Sequence, residues 1–253
     1  MDKMTDISII IPAYNEEERL SLFLDQVISY CRASEKAYEI IIVDDGSSDK
    51  TFEIAVSYKN KFPNLNVIKI SENSGKGHAV KSGMLAASGN ICLFMDADGS
   101  VTPEEIEKNL HYITEKNYDI FIGSRVLTDN EQILEVKWYR KLIGRVFNFF
   151  VHVILFNNIQ DTQCGFKIFR KEIIIPIFSR NYLRGFGFDF EILYLACKMG
   201  YKIKEGPVSW RHVGGSKINI MTDSVKMFFN ILQVRIWHCM PINPDSRRPD
   251  KGV

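Results

Sequence analysis

The sequence has few of the features that mark secreted, membrane-spanning or nucleic-acid-binding proteins. Its five cysteines, scattered from Cys31 to Cys239, show no Cys-x-x-Cys spacing. This argues against a zinc site or a disulfide framework and favours a reducing compartment. Residues Met1 to Asp6 are polar and acidic and contain no apolar signal region. The net charge is only +1, so no global field selects a nucleic acid partner.

Two common phosphate-binding fingerprints are also missing. No Gly-x-Gly-x-x-Gly follows the first apolar run, and no Gly-x-x-x-x-Gly-Lys-[Ser/Thr] occurs anywhere. Their absence argues against a dinucleotide-binding domain and against a P-loop NTPase. The chain is 253 residues long, 45% hydrophobic and 25% charged. It is therefore long enough for a sizeable α/β core and has the composition of a folded globular protein.

Short apolar runs alternate with helical patterns through the first hundred residues. Strands are predicted at Ile7 to Ile11, Glu39 to Val43, Asn66 to Ile70 and Ile91 to Met95. Helices are predicted after an Asn15 cap, after a cap at Ser47 or Ser48, and from His78 to Ala87. Such alternation indicates a parallel sheet with right-handed crossovers and helices on both faces.

Two carboxylates, Asp96 and Asp98, directly follow the fourth predicted strand. Ligands of open α/β sheets bind at this carboxyl end of the strands. Adjacent carboxylates repel each other, and Mg²⁺ binds one or two carboxylates together with phosphate oxygens and water. The pair therefore predicts a metal-phosphate site, the alternative being a solvated turn.

The same edge of the predicted sheet collects further polar side chains. They are Tyr14, Glu16, Asp44, Asp45 and Lys76. Their coincidence at successive strand ends favours a nucleotide-type site over the solvated turn.

The chain continues with a predicted helix from Thr102 to Lys116 and a fifth strand at Asp119 to Ile122. Arg125 follows that strand, where an arginine can pair with phosphate in two-point geometry or lie in a surface turn. Beyond it, helices are predicted at Phe188 to Met199 and Ile220 to His238, flanking a strand between residues 201 and 212 interrupted at Gly206-Pro207.

The segment from Trp138 to Phe156 is the most apolar long stretch, and Arg140, Lys141 and Arg145 form a basic strip along it. Three cations argue against a membrane-spanning helix. An apolar helix with a basic strip is typical of a membrane interface, but a buried helix with a solvated edge has the same pattern. We predict one domain over residues 1–240, with this helix at about 138–156, and a polar tail at 241–253.

Four strings in this sequence resemble the family 2 inverting glycosyltransferases of the GT-A fold. They are Ile9-Ile10-Ile11-Pro12-Ala13-Tyr14-Asn15-Glu16, Val43-Asp44-Asp45-Gly46-Ser47, Asn73-Ser74-Gly75-Lys76-Gly77 and Asp96-Ala97-Asp98. A later string, Asp161-Thr162-Gln163-Cys164-Gly165-Phe166-Lys167, resembles the dolichyl/polyprenyl-phosphate glucosyltransferase branch more closely than the mannosyl enzymes. The resemblance implies an α/β, GT-A (nucleotide-diphospho-sugar transferase) fold, with a mostly parallel central sheet flanked by helices.

The resemblance also implies roles for individual residues. The nucleotide sugar would contact Pro12, Ala13, Tyr14, Glu16, Asp44, Asp45, Lys76 and Ala97. Asp96 and Asp98 would bind Mg²⁺ or Mn²⁺ on the diphosphate. The candidates for positioning phosphates during catalysis are Arg125, Arg140, Arg211 and Lys217. Gly99-Ser100 stands where some relatives supply a metal-binding glutamine, so the sequence departs from the family there.

The reaction implied is transfer of a hexose of the glucose or N-acetylglucosamine type from a UDP-sugar to dolichyl or polyprenyl phosphate. We expect the enzyme on the cytoplasmic face of a membrane, bound peripherally and without a transmembrane helix, although many relatives begin with a membrane anchor. A homo-oligomer is also allowed. A GDP-mannose-dependent mannosyltransferase is the first alternative. A transferase to a glycan hydroxyl, with Asp189 and Glu191 as base, is the second, and a non-catalytic nucleotide-sugar-binding module is the third.

Overall fold

A computed structural model describes residues 5–127, 159–211 and 220–240, with side chains in the last range described from Lys226. Seven strands form one sheet in these residues. They are β1 (Ile7–Ala13), β2 (Tyr38–Asp45), β3 (Leu65–Ile70), β4 (Ile91–Met95), β5 (Ile120–Ser124), β6 (Phe166–Arg170) and β7 (Ile203–Pro207). The α-helices are α1 (Leu20–Ala33), α2 (Thr51–Ser57), α3 (Lys76–Ala86), α4 (Glu104–Thr114), α5 (Ile174–Phe178), α6 (Phe188–Lys198) and α7 (Ile220–Trp237).

The strand order is β3-β2-β1-β4-β6-β5-β7. β1, β2, β3 and β4 pair in parallel, as the alternating pattern predicted. β6 is antiparallel to both of its neighbours, with Met95 opposite Phe166. No strand was predicted at β6, because an antiparallel strand inserted between β4 and β5 does not arise from the repeating strand-helix unit.

Both faces of the sheet are covered, which explains why its strands are nearly continuous apolar runs. Side chains alternate between the faces along each strand. Ile10 and Phe94 contribute to the core beneath α3, α5, α6 and α7, whereas Ile9 and Leu93 belong to the core beneath α1 and α4. The carboxyl ends of β1, β2 and β4 therefore emerge side by side from a rigid platform.

Two predicted helix starts are wrong. α1 begins at Leu20, and Asn15 instead adopts a left-handed backbone (φ 54°) with its Oδ1 accepting the Ser48 N–H at 2.8 Å. α2 begins at Thr51, whose N–H donates to Asp49 Oδ1 at 3.0 Å. The Asn15–Ser48 bond joins the loops after β1 and β2 to each other, and that long-range contact outweighs the local capping pattern.

The predicted strand between residues 201 and 212 is shorter in the structure. β7 ends at Pro207, and Trp210 then forms an isolated antiparallel bridge with Val101. Proline lacks the N–H that a strand needs to continue its ladder.

Within the described ranges, no helix is long and apolar enough to cross a lipid bilayer. The predicted apolar helix at 138–156 and the tail at 241–253 lie outside those ranges. Their structures stay predictions, as does the single-domain boundary at residue 240.

Candidate active site

A cavity of about 350 Å³ opens at the carboxyl ends of β1, β2 and β4. The predicted site residues among those that line it are Pro12, Ala13, Tyr14, Glu16, Asp45, Lys76, Asp96, Ala97 and Asp98. Residues from separate places in the chain thus meet at one edge of the sheet. The edge is the one where open α/β folds bind ligands.

Asp96 lines the cavity next to a cation supplied by the chain. Lys76 Nζ lies 2.6 Å from Asp96 Oδ1. Burial disfavours the charged ammonium, but the carboxylates of Asp96 and Asp189 outweigh it, so the pKa of Lys76 is raised above its ordinary value. Lys76 is therefore a firmly charged group beside the carboxylates of the cavity.

Gly165 lies directly beneath the Asp96 carboxylate. A Cβ atom at position 165 would stand 2.0 Å from Asp96 Oδ2, far inside van der Waals contact. The side chain of Asp96 can occupy its place only because residue 165 has none. Gly165 belongs to the Asp-Thr-Gln-Cys-Gly-Phe-Lys string, but no signal in the sequence indicates that it contacts the Asp-x-Asp.

Asp98 shapes the turn that follows β4. Its Oδ1 accepts the Ser100 N–H at 2.9 Å, and Gly99 between them has a φ of 69°, which favours glycine. The Ser100 carbonyl then accepts the Arg211 N–H at 3.0 Å. The structure thus brings predicted Arg211 next to the Asp-x-Asp turn, with its side chain exposed.

The neighbours Asp44 and Asp45 have opposite environments at the end of β2. Asp45 accepts the N–H groups of Ser74 at 3.0 Å and Gly75 at 2.8 Å. Burial nonetheless raises the pKa of Asp45 above its ordinary value. Asp44 is fully buried, and neither of its carboxylate oxygens has a hydrogen-bond partner among the described residues. Asp44 pairs with Ala13 in the β1–β2 register, so this unsatisfied carboxylate lies beside a cavity residue.

Several lining residues were not predicted. They are Arg19, Asn73, Gly75, Ala79, Gly185 and Phe186. Arg19 forms a two-point ion pair with Glu16, with both N–O distances 2.7 Å. Asn73 and Gly75 could have been found, because they lie in the same motif as Lys76, but nothing local in the sequence connects Phe186 with this edge.

Arg125, predicted either to pair with phosphate or to lie in a surface turn, forms a two-point ion pair with a carboxylate. Its Nε and Nη2 each lie 2.8 Å from an oxygen of Asp161. Burial works to raise the pKa of Asp161, but the Arg125 guanidinium outweighs it and holds that pKa below its usual range. Asp161 thus fixes the orientation of Arg125, whose guanidinium also lies 6.0 Å from the centre of the Trp210 ring.

A second buried pair lies behind the cavity. Lys167 donates to both Asp189 and the Cys164 carbonyl, and Lys167 and Asp189 are almost completely buried. Burial raises the pKa of Asp189, against the lowering effect of Lys167 and Lys76. Asp189 therefore belongs to the charge network behind Lys76 and is not a lining residue of the cavity.

Two predicted cations, Arg140 and Lys217, lie outside the described residues. Their roles remain predictions. Glu191, the other fallback base, is described and is not among the lining residues of the cavity.

The carboxylates at this edge fit a divalent cation that shares its ligands with a substrate. Among the described residues, no group of three or more His, Cys, Asp or Glu side chains could hold a metal ion alone. Asp96 and Asp98 offer hard oxygen ligands, and Asp96 already attracts the Lys76 ammonium. Mg²⁺ and Mn²⁺ accept such incomplete sets when phosphate oxygens and water complete the shell.

Comparison with known proteins agrees with this geometry. Residues 8–178, which include nearly all of β1 and the whole of β2 to β6, match the model of "Glycosyl transferase family 2". The chain belongs to this family. It is accordingly a glycosyltransferase. The match confirms the family that four short motifs had indicated, and it extends over most of the chain.

Three dolichyl-phosphate beta-glucosyltransferases are similar to the chain. The protein from Dictyostelium discoideum is 37% identical over 93% of this chain and 76% of its own length. The Saccharomyces cerevisiae protein is 33% identical over 98% of this chain and 79% of its own length. The Homo sapiens protein is 34% identical over 91% of this chain and 75% of its own length.

Solved structures that are similar to this chain confirm the predicted GT-A fold. A Mycobacterium tuberculosis glucosyl-3-phosphoglycerate synthase in complex with UDP has a TM-score of 0.67 at 20% identity, covering 91% of this chain and 80% of its own. The same enzyme in complex with Mn²⁺, UDP-glucose and phosphoglyceric acid has a TM-score of 0.65 at 18% identity, covering 91% and 79%. At these identities the likeness concerns the fold alone.

Proposed function

We propose that this glycosyltransferase transfers glucose from UDP-glucose to dolichyl phosphate with inversion. The observation that carries the proposal is the cavity in which Lys76, Asp96 and Asp98 converge beside the loop from Pro12 to Glu16. The similarity to dolichyl-phosphate beta-glucosyltransferases over more than nine-tenths of the chain supports the choice of sugar and acceptor.

The nucleoside half of the donor is proposed to bind at the ends of β1 and β2. Asp44 supports this placement, because a buried carboxylate without a hydrogen-bond partner is costly. Because its oxygens are not accessible in the free protein, a base N–H or ribose hydroxyl would supply the missing donor after the surrounding side chains move. Tyr14, 38% exposed at the cavity edge, offers a ring surface for the same part of the ligand.

This placement predicts opposite effects of two neighbouring substitutions. Asp44→Asn should raise the donor KM about tenfold yet raise Tm, because a neutral amide costs less to bury without a hydrogen-bond partner than a carboxylate does. Asp45→Asn should lower Tm, because one of its two backbone donors loses its acceptor. Thermal unfolding and donor titration measure both effects. A fall in Tm for Asp44→Asn would show that this carboxylate is already satisfied in the free protein.

The diphosphate is proposed to lie between Lys76 and the two carboxylates of the Asp-x-Asp. Lys76 would bind and orient its oxygens, while Asp96 and Asp98 would hold Mg²⁺ or Mn²⁺. A bound divalent ion supplies charge neutralisation for the leaving diphosphate. Gly165 keeps Asp96 in place, and the Asp98–Ser100 hydrogen bond fixes the turn.

The carboxylates that line the cavity already accept hydrogen bonds or form ion pairs within the protein, which favours a phosphate acceptor over a sugar hydroxyl. Glu16 accepts from Arg19, Asp45 from two backbone N–H groups, Asp96 from Lys76 and Asp98 from Ser100. A hydroxyl acceptor needs a base to take its proton, whereas a phosphate monoester with a second pKa of about 6 is already mostly dianionic at neutral pH. It needs cations that position it.

Those cations are proposed to come from the edge beyond the Asp-x-Asp turn. Arg211 is held there by its backbone bond to Ser100, and Arg125 is oriented by Asp161. Arg140 and Lys217, whose positions are not described, complete the proposed set. An acceptor phosphate at this edge would approach the anomeric carbon from the side opposite the diphosphate, giving inversion.

Besides the helix predicted at 138–156, an apolar surface on α7 supports peripheral membrane docking. While Ile231 and Val234 are fully buried, Phe229, Leu232 and Ile236 are 59%, 39% and 68% exposed. Their spacing of three and four residues places the exposed side chains on one face. An exposed apolar helix face lies readily in a lipid interface, which is where the phosphate of a dolichyl lipid is found.

Replacing two residues of this face should weaken membrane binding. Phe229→Gln with Ile236→Gln removes apolar area worth roughly 25 cal/mol per Å², so the affinity for anionic vesicles should fall at least about tenfold in co-sedimentation. Leu22→Gln is the matched control, because Leu22 on α1 is also 68% exposed, and its binding should not change. Unchanged binding of the double variant would rule out α7 as the docking face.

The role of the predicted helix at 138–156 is tested with a separate variant. Replacing Arg140, Lys141 and Arg145 by Gln should remove about 1 kcal/mol of attraction per cation and flatten the salt dependence of binding. If the wild-type chain ignores anionic vesicles at low salt, peripheral docking is wrong for both surfaces.

A donor and acceptor panel tests the function as a whole. UDP-glucose, UDP-N-acetylglucosamine and GDP-mannose are each incubated with dolichyl phosphate and Mg²⁺ or Mn²⁺, and lipid-linked sugar is measured. Product from UDP-glucose alone supports the proposal, and product from GDP-mannose identifies a mannosyltransferase instead. Dolichol, which has the lipid but no phosphate, is the acceptor control and should give no product.

A further inference from the structure

Glu191 is a buried charge that the proposed reaction does not use. It lies in the first turn of α6 and is 0% exposed. Its carboxylate accepts hydrogen bonds from Leu183 N at 2.7 Å, Tyr182 N at 3.0 Å and Asn181 Nδ2 at 2.6 Å. His238 Nε2 lies 2.8 Å from its Oε1, and the carboxylate can only accept, so His238 is the donor there.

The first three donors belong to residues 181–187, here named the wall segment. Phe186 in this segment lines the donor cavity. The Arg184 carbonyl accepts the His78 N–H at 3.1 Å, which ties the segment to the first turn of α3, where Lys76 lies. The wall segment therefore influences both the shape of the cavity and the position of Lys76, which lines it.

The fourth donor belongs to the carboxyl end of α7. The His238 N–H donates to the Val234 carbonyl at 3.1 Å, which continues the helix by one residue. The His238 ring stacks on Tyr182 with 5.6 Å between centroids, and the Trp237 ring meets Tyr182 edge-on at 5.6 Å. The end of α7 thus contacts the wall segment through rings as well as through Glu191.

We propose that Glu191 is a positioning residue that makes the geometry of the donor cavity depend, through His238, on how α7 is seated. The inference rests on the proposed function for the identity of the donor. One carboxylate joins the wall segment to the end of α7 and reinforces the ring contacts between them. Releasing His238 leaves Glu191 buried and short of a donor, and the cost falls on its remaining partners in the wall segment. Docking of α7 on a surface would then alter the geometry of the cavity through His238 and Glu191.

The test combines nucleotide binding with hydrogen exchange on the full chain. His238→Ala should weaken UDP binding, measured calorimetrically with Mn²⁺, about fivefold to tenfold. It should also speed amide exchange at Tyr182 and Leu183, whose N–H groups Glu191 accepts. His238→Gln should restore both to within about twofold, because a glutamine amide can donate from nearly the same place as Nε2. Glu191→Gln should resemble His238→Ala.

Arg235→Met is the matched control. Arg235 Nη1 donates to the Tyr194 hydroxyl at 2.9 Å, which joins α7 to α6 through a hydrogen bond that involves neither Glu191 nor the wall segment. Its substitution should leave UDP affinity within about twofold of wild type.

Three results would overturn the proposal. They are a lower Tm for His238→Ala with unchanged UDP affinity, unchanged exchange in the wall segment, and failure of His238→Gln to rescue. If wild type binds GDP and not UDP, the proposed donor is wrong, and the same measurements with GDP decide the role of Glu191. Failure of the donor assignment and failure of this linkage are thereby distinguished.

Discussion

Replacing Asp96 or Asp98 by asparagine is expected to reduce glycosyl transfer on the order of a thousandfold, equivalent to about 4 kcal/mol of transition-state stabilisation. Both carboxylates stand at the end of β4 in the cavity, and each substitution removes a charged ligand from the proposed metal-diphosphate site. The fold should survive, because the Asp96 side chain is 34% exposed and Lys76 still has the carboxylate of Asp189 nearby.

The measurement is a steady-state assay with Mn²⁺ titration, supported by Mn²⁺ binding in the presence of UDP and by thermal unfolding. Asp25→Asn is the control, because Asp25 forms an exposed ion pair with Lys61 at 3.2 Å on another surface. Its activity should equal that of wild type. Metal-dependent transfer that persists in the double variant of Asp96 and Asp98 would place the reaction elsewhere in the molecule.

Gly165→Ala is expected to reduce transfer about a hundredfold, although it adds only one methyl group. That methyl would lie 2.0 Å from Asp96 Oδ2 and 2.3 Å from Asp96 Cγ. The carboxylate must move aside, and a displacement of about 1 Å at a reacting centre can cost roughly 10²-fold in rate. Mn²⁺ affinity with UDP present should fall in parallel, because the displaced group is a proposed ligand.

Gly185→Ala is the comparison variant for Gly165→Ala. Gly185 lines the same cavity, but nothing lies within 4 Å of a Cβ at its position. Its methyl group would not touch Asp96, so Mn²⁺ affinity should fall far less than for Gly165→Ala. Full activity of Gly165→Ala would mean that Asp96 has room to move without consequence, and the carboxylate would then not need the geometry that the structure shows.

Local patterns in the amino-acid sequence are enough to predict much of the fold. The apolar runs of β1, β2, β3, β4 and β5 are recognisable by their length and their boundaries, because a buried parallel strand needs a continuous apolar sequence. The carboxyl ends of parallel strands share one edge in any right-handed βαβ arrangement. Asp45, Lys76 and Asp96 could therefore be assigned to one site without knowledge of their distances.

Helix starts were predicted less well, because caps compete with tertiary contacts. Asn15 has the spacing of a helix cap, yet its side chain binds the backbone of Ser48. Ser47, the other predicted cap, has a hydroxyl that accepts the Asn15 N–H at 2.9 Å. These two hydrogen bonds join residues that are 32 and 33 positions apart in the chain, so no local window of sequence contains both partners.

The family, the parallel half of the sheet and the group of polar residues at its edge all follow from the sequence alone. How those residues are held depends on the tertiary structure. The antiparallel strand β6 enters beside β4, and the approach to that strand places Gly165 under Asp96. Likewise, hydrogen bonding distinguishes Asp44 from Asp45, and folding brings His238 to Glu191 across 47 residues. Periodicity and turn chemistry act between near neighbours, whereas contact and burial depend on parts of the chain that meet only when the sheet is complete.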